Sequence, residues 1–141
     1  MTAESAQKKR KLKIILDSNA FFVPLQFKIG VFEGLKALLK ANFEPILLSP
    51  ILKELEKLAR DSSPKMRKEV SYALKIAEKC TLINIDENLT DRPDDAIVNV
   101  AQERKYPVFT NDRQLKKRLR NINVPVIYVR QKTRLEIDGR I

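Results

Sequence analysis

Histidine is missing from the chain altogether. That absence removes the Ser-His-Asp and Cys-His nucleophile systems, and every metal centre built on imidazole. A single cysteine, Cys80, allows neither an internal disulfide nor a zinc site made of several thiolates. Tryptophan is absent too, and aromatic residues make up 6% of the chain with no clustering among basic residues, so no stacking surface is expected. The only glycines are Gly30, Gly34 and Gly139, which leaves no glycine-rich turn of the Rossmann or P-loop kind. No apolar run approaches the roughly 20 residues that cross a bilayer. The N-terminus has charge but no apolar stretch leading to a cleavage site. The expectation is an intracellular, cytoplasmic protein without membrane association.

Positive charge is what the sequence has in excess. Its 28 Lys and Arg against 18 Asp and Glu give a net charge of +10. Nucleic acid is the usual anionic partner of such a chain, because each neutralised phosphate releases condensed counterions. A basic, soluble surface is the plainer reading. The length of 141 residues, 43% of them apolar, suits one domain with a real core.

Residues 1–11 are polar and end in Lys8, Lys9, Arg10 and Lys11, a basic tail expected to be disordered. It could touch RNA phosphates or imitate a nuclear import signal. Residues 12–130 alternate between two periodicities, and 131–141 read as a C-terminal tail. Short Ile-, Val- and Leu-rich runs at Leu12–Leu16, Pro45–Leu48, Thr81–Ile85, Pro107–Phe109 and Val124–Val129 suit strands buried on both faces. Helical stripes lie between them, opened by Ser49-Pro50, Ser63-Pro64, Pro93 and Asn111 or Asp112. This alternation predicts a single α/β domain: a parallel sheet of about five strands with helices on both faces.

Ligands of open α/β sheets bind beyond the carboxyl ends of the strands. Asp17 closes the first predicted strand, and Glu54 lies one turn into the helix after the second. Asp94 and Asp95 open the helix after the third, and Asp112 follows the fourth. All are thus delivered to one edge of the sheet. Carboxylates gathered there repel one another, so each would take up a proton unless a cation compensates. All-oxygen ligands select Mg²⁺ or Mn²⁺ over zinc, and such a pocket on a basic protein suits phosphoryl chemistry. Taken singly, each residue has a duller reading. Asp17 reads as a turn former, Glu54 as an exposed helix residue, and Asp94, Asp95 and Asp112 as helix N-terminal charges or caps.

Four short stretches resemble the motifs of PIN domains: Leu16-Asp17-Ser18-Asn19-Ala20, Leu52-Lys53-Glu54-Leu55, Asp94-Asp95-Ala96-Ile97 and Phe109-Thr110-Asn111-Asp112. They occur in the family's order between Lys13 and about Val129. The stretches Phe22–Phe27, Glu54–Leu58 and Pro125–Val129, with the Asp94-Asp95 pair, look most like the archaeal and eukaryotic rRNA-processing branch, and VapC toxins are similar. The resemblance implies a central first strand and Mg²⁺- or Mn²⁺-dependent endoribonuclease activity leaving 5′-phosphate and 3′-hydroxyl ends. It assigns Asp17, Glu54, Asp95 and Asp112 as catalytic metal ligands. Asp95 is preferred over Asp94 because it directly precedes Ala96-Ile97, which leaves Asp94 as an additional or outer ligand. Ser18, Asn19 and Thr110 would orient ligands or water. The expected partners are RNA, perhaps an rRNA precursor, a second copy of the chain, and an antitoxin if the chain is VapC-like. No zinc ribbon follows the domain, which argues against the ribosome-maturation nucleases that carry one.

Candidate RNA contacts are Arg92 and Arg113 beside the carboxylates, Lys116, Lys117, Arg118 and Arg120 on the last helix, and Arg130, Lys132 and Arg134 beyond it. Recognition by shape and phosphate is expected. A non-catalytic PIN-fold scaffold is the rival from another class, although all four acidic positions are filled. A haloacid-dehalogenase-like phosphatase would want Asp-x-Asp after its first strand, where this chain has Asn19.

Overall fold

Leu12–Leu16 (β1) carries the first buried run: Ile14, Ile15 and Leu16 are all fully inaccessible to solvent. Complete burial of such side chains stabilises by about 1.5–3 kcal/mol each, so this strand belongs in the middle of a sheet. The computed structural model, which describes residues 11–90 and 92–141, places it there. The stretch Lys8–Arg10 of the expected basic tail lies outside the described residues.

A 3₁₀ turn over Ser18–Phe22 leads into a short helix, Val23–Phe27 (α1), and then Val31–Leu39 (α2). Next come Phe43–Leu48 (β2), Ser49–Asp61 (α3), Pro64–Ala77 (α4) and Thr81–Ile83 (β3). Pro93–Arg104 (α5), Val108–Phe109 (β4), Arg113–Asn121 (α6), Val126–Arg130 (β5) and Arg134–Asp138 (β6) complete the chain. The helix starts follow local chemistry. Proline stands in the first turn of α1, α3, α4 and α5, where its fixed φ is pre-set and its missing N–H costs nothing. The Ser63 hydroxyl accepts a bond from the Met66 amide to cap α4. Ser49 departs from the expected capping role: it is the first helical residue, and its hydroxyl accepts from the Ile85 amide at 2.8 Å. That bond ties the start of α3 to the segment after β3.

The sheet runs β3-β2-β1-β4-β5-β6. Every pairing is parallel except β5 with β6. The chain builds outward from β1 through β2 to β3, then returns to the other side of β1 with β4. Strand order therefore reverses between β1 and β4, which makes their carboxyl ends the switch point.

Two expectations change. The sheet has six strands rather than about five, and residues 131–141 are not a tail, because 134–138 form β6. A tight hairpin joins β5 to β6, closed by a bond from the Thr133 amide to the Arg130 carbonyl. Gln131 and Lys132 both have positive φ, 52° and 61°. The loop is three residues, Gln131-Lys132-Thr133, and hairpin loops with left-handed residues ordinarily announce themselves by Gly or Asn, so Gln-Lys conceals the turn. β6 buries Leu135, which sits so close to α2 that a Cβ on Gly34 would stand 2.9 Å from Leu135 Cδ1.

Candidate active site

Asp17 is the first residue beyond β1, and it is 4% exposed. A carboxylate this dry needs partners, and it has three. Its Oδ2 accepts from the Thr110 hydroxyl at 2.7 Å and the Asn19 amide nitrogen at 3.0 Å, and its Oδ1 accepts from the Ser18 backbone at 2.8 Å. Thr110 is fully buried just past β4, so this bond spans the switch point.

The rest of the scaffold is short polar side chains. The Asn111 backbone donates to Asn19 Oδ1 at 3.0 Å, while Asn111 Oδ1 accepts from the Val129 amide at 2.8 Å. Three consecutive strands of the sheet are thereby pinned at their ends. Thr110 also accepts from the Asp112 amide at 3.1 Å, and Asp112 Oδ1 caps α6 through the amides of Gln114 and Leu115. Of the residues expected to support the site, Thr110 and Asn19 bond Asp17 through their side chains and Ser18 through its backbone amide. Asn111 is a junction that sequence reasoning overlooked.

The fields of the carboxylates report how they converge. Burial pushes the Asp17 carboxyl above the ordinary aspartate range; the Thr110 and Ser18 bonds oppose this, while the charges of Asp94 and Glu54 add to it. Asp94 is an exposed residue, and its carboxyl is raised as well, first by partial desolvation and then by Asp112, with Arg118 pulling the other way. Asp17 thus feels the charges of Asp94 and Glu54, and Asp94 feels that of Asp112, although the four come from separate segments.

Asp95 behaves differently. Its Oδ1 accepts from Arg118 Nη2 at 3.0 Å, and its Oδ2 lies 3.8 Å from Arg92 Nε. The sequence preference set Asp95 above Asp94; the structure pairs Asp95 with Arg118 and Arg92, while Asp94 feels both arginines and the charge of Asp112 and acts in turn on Asp17. Motif register cannot distinguish adjacent helical residues that point about 100° apart.

Among the described residues no three Asp, Glu or Cys side chains stand close enough together to form a group that could hold a metal ion. The donor set is nonetheless all oxygen, and its negative charge is compensated only by hydrogen bonds and by arginines engaged with Asp95. Those donors fit a hard divalent cation.

The basic candidates fall into two groups. Lys116 and Arg120 reach Asp138 on β6 at 3.5 and 3.2 Å, and Arg118 is held by Asp95, so these three also serve the fold. Arg92, Arg113, Lys117, Arg130, Lys132 and Arg134 are exposed, with Arg130 paired to Glu136 at 2.9 Å and Arg92 3.8 Å from Asp95. Arg113, Lys116, Arg130 and Lys132 line a groove of about 530 Å³ that begins at Thr110 and Asn111, and Phe27 and Tyr128 also form its walls. The two rings are far apart in sequence, which is why no aromatic clustering was visible there.

A mostly parallel α/β sheet with Asp17 beyond the end of its central strand, at the switch point, defines the class. The chain belongs to the PIN-like domain family: the family model described as a PIN like domain matches residues 14–132. Ribonuclease VapC4 of Methanocaldococcus jannaschii is 36% identical over 132 residues, covering 92% of this chain and 98% of the relative. The rRNA-processing protein fcf1 of Schizosaccharomyces pombe is 32% identical over 117 residues, covering 82% of this chain and 58% of that protein. Among solved structures, the PIN domain endonuclease Utp24 superimposes with a TM-score of 0.73 at 31% identity, over 92% of each chain. The chain is thus a member of the PIN-domain ribonuclease family. Among the described residues no helix is long and apolar enough to cross a membrane.

Proposed function

We propose that the chain is a metal-dependent endoribonuclease acting on RNA phosphodiester bonds. The observation that carries this reading is the raised, buried Asp17 at the switch point, facing the charges of Glu54 and Asp94, with Asp112 acting on Asp94. Glu54, Asp94 and Asp112 would hold Mg²⁺ or Mn²⁺ with Asp17, and Asp95 would set the position of Asp94 through Arg118. Held by these residues, a divalent ion would supply Lewis acidity toward a water and toward charge on the leaving oxygen. Thr110, Asn19 and the Ser18 amide hold the Asp17 carboxylate in one orientation, so that little reorganisation is needed when charge develops. Phosphates would be drawn by Arg92, Arg113, Lys117 and Lys132. The expected products carry 5′-phosphate and 3′-hydroxyl ends.

The preferred biological role is maturation of a ribosomal RNA precursor, in the cytoplasm or, in a eukaryote, the nucleolus. Likeness to the Utp24 endonuclease and to rRNA-processing fcf1 supports it. A VapC-type toxin held by an antitoxin is the second reading, favoured by the match to ribonuclease VapC4 over 98% of that protein's length. Co-purification with precursor ribosomal particles supports the first, and a tight complex with a small partner the second. The activity itself is tested by incubating purified chain with RNA and Mn²⁺ beside an Asp17→Asn variant. Cleavage in the parent, lost in the variant and abolished by chelator, is expected; equal cleavage by both overturns the reading.

A further inference from the structure

The groove beside the acidic rim has no role in holding the carboxylates, yet it shares Thr110 and Asn111 with them. Its walls come from places far apart in the chain: Phe27 at the end of α1, Arg113 and Lys116 on α6, and the β5–β6 hairpin with Tyr128, Arg130 and Lys132. We propose that this groove is a nucleotide subsite for the RNA residue next to the cleaved bond. Its phosphate lies against Arg113 and Lys132, and its base or ribose against Tyr128 and Phe27. The inference rests on the reading that the rim cleaves RNA.

Size, charge and rigidity agree. A volume of about 530 Å³ is in the range of small-ligand sites. Two of the four basic groups are already neutralised: Lys116 is 3.5 Å from Asp138, and Arg130 is 2.9 Å from Glu136. Among the described residues Arg113 and Lys132 have no carboxylate at ion-pair distance, so their charge is available to an anion. Tyr128 is fixed twice. Its hydroxyl donates to Glu136 at 2.7 Å, and Lys116 Nζ stands 3.6 Å from its ring centroid. A ring held this way loses little freedom when a base or sugar packs on it. The same groove would hold Lys132 through the left-handed backbone of Gln131 and Lys132, a conformation that non-glycine residues adopt at a cost and that gathers at functional sites.

The test measures binding apart from cleavage. A fluorescein-labelled single-stranded RNA of about ten nucleotides is titrated with the full chain in EDTA over a salt series. Arg113→Ala, Lys132→Ala and Tyr128→Leu are compared with the parent, and Lys79→Ala, before β3 at the opposite sheet edge, is the control. Arg113→Ala and Lys132→Ala should each flatten the log K against log salt slope by about 0.7. Tyr128→Leu should weaken binding about tenfold without changing that slope. 4-Thiouridine in the RNA should crosslink to Phe27 or Tyr128. Parent-like affinity and slope in Arg113→Ala and Lys132→Ala, no RNA binding at all, or crosslinks only elsewhere overturn the subsite, even where the rim is shown to cleave. Weakened binding in these variants together with no Mn²⁺-dependent cleavage keeps the groove as an RNA-binding site but overturns the nuclease and, with it, a subsite beside a cleaved bond. If Tyr128→Leu does not fold, the two cationic variants and the crosslink decide.

Discussion

The Thr110 hydroxyl donates to Asp17 Oδ2 at 2.7 Å, joining residues 93 positions apart at the ends of adjacent parallel strands. That bond opposes the burial that raises the Asp17 carboxyl. Thr110→Val, which keeps the shape and removes the donor, should therefore raise Asp17 further. Hydrogen bonds to charged groups are worth about 1.5–3 kcal/mol, so Mn²⁺ affinity should fall about tenfold to a hundredfold. The loss should be greater at pH 6 than at pH 8, and Thr110→Ser should restore it. Calorimetric titration at the two pH values checks this.

Asp17 gives a stability prediction of definite sign. Its native pKa lies above the ordinary value of 3.8, so the folded state holds its proton more tightly than the unfolded one. The contribution is fully present below pH 3.8 and is lost as pH rises through the raised native value. In chelator at pH 7.5, Asp17→Asn should melt a few degrees above the parent, at ~2–4 °C per kcal/mol for a chain of this size. The gap should close toward pH 4, and Mn²⁺ should raise the Tm of the parent alone. Thermal melts at several pH values, with and without Mn²⁺, measure it.

The adjacent pair Asp94 and Asp95 should separate functionally. Asp94→Asn removes a group in the shared field and should lower Mn²⁺-dependent cleavage by more than a hundredfold. Asp95→Asn only loosens an orienting contact to Arg118, a change typically worth ~10–100-fold, and should sit at the low end. The Arg118–Asp95 pair is about half exposed on one side, so its loss should move Tm little. Single-turnover cleavage with both variants decides between the two positions.

The hairpin invites a trade of stability against binding. Gln131→Asn with Lys132→Gly relieves two left-handed non-glycine residues, each costing roughly 1–2 kcal/mol. The double variant should melt several degrees higher and bind RNA more weakly, because Lys132 is gone. Melting and anisotropy on the same preparation check both halves.

Much of this was legible before any coordinates, and the reason is physical. Buried parallel strands need continuous apolar runs, and the residue that follows each run must sit at the sheet edge, so Asp17, Glu54 and Asp112 could be placed from sequence alone. The Asp94-Asp95 pair could be located but not divided, because one residue of rotation on a helix leaves no compositional trace. β6 was hidden by Gln131-Lys132, whose backbone conformation contradicts its residue types. The groove was hidden for another reason: Phe27 and Tyr128 line it together although they lie on α1 and β5, far apart in the sequence. Arg120 and Lys116 read as nucleic-acid contacts, yet the carboxylate that engages them, Asp138, lay in a segment taken for a tail.

The central claim is that Asp17, Glu54, Asp94 and Asp112 together bind one class of ion, a hard divalent cation. Calorimetric titration of Mn²⁺ into the metal-free chain, beside Asp17→Asn at pH 7.5, tests it most directly. The prediction is saturable binding by the parent and an affinity at least ~100-fold lower in the variant. Binding of equal strength in both, or none in either, would contradict it.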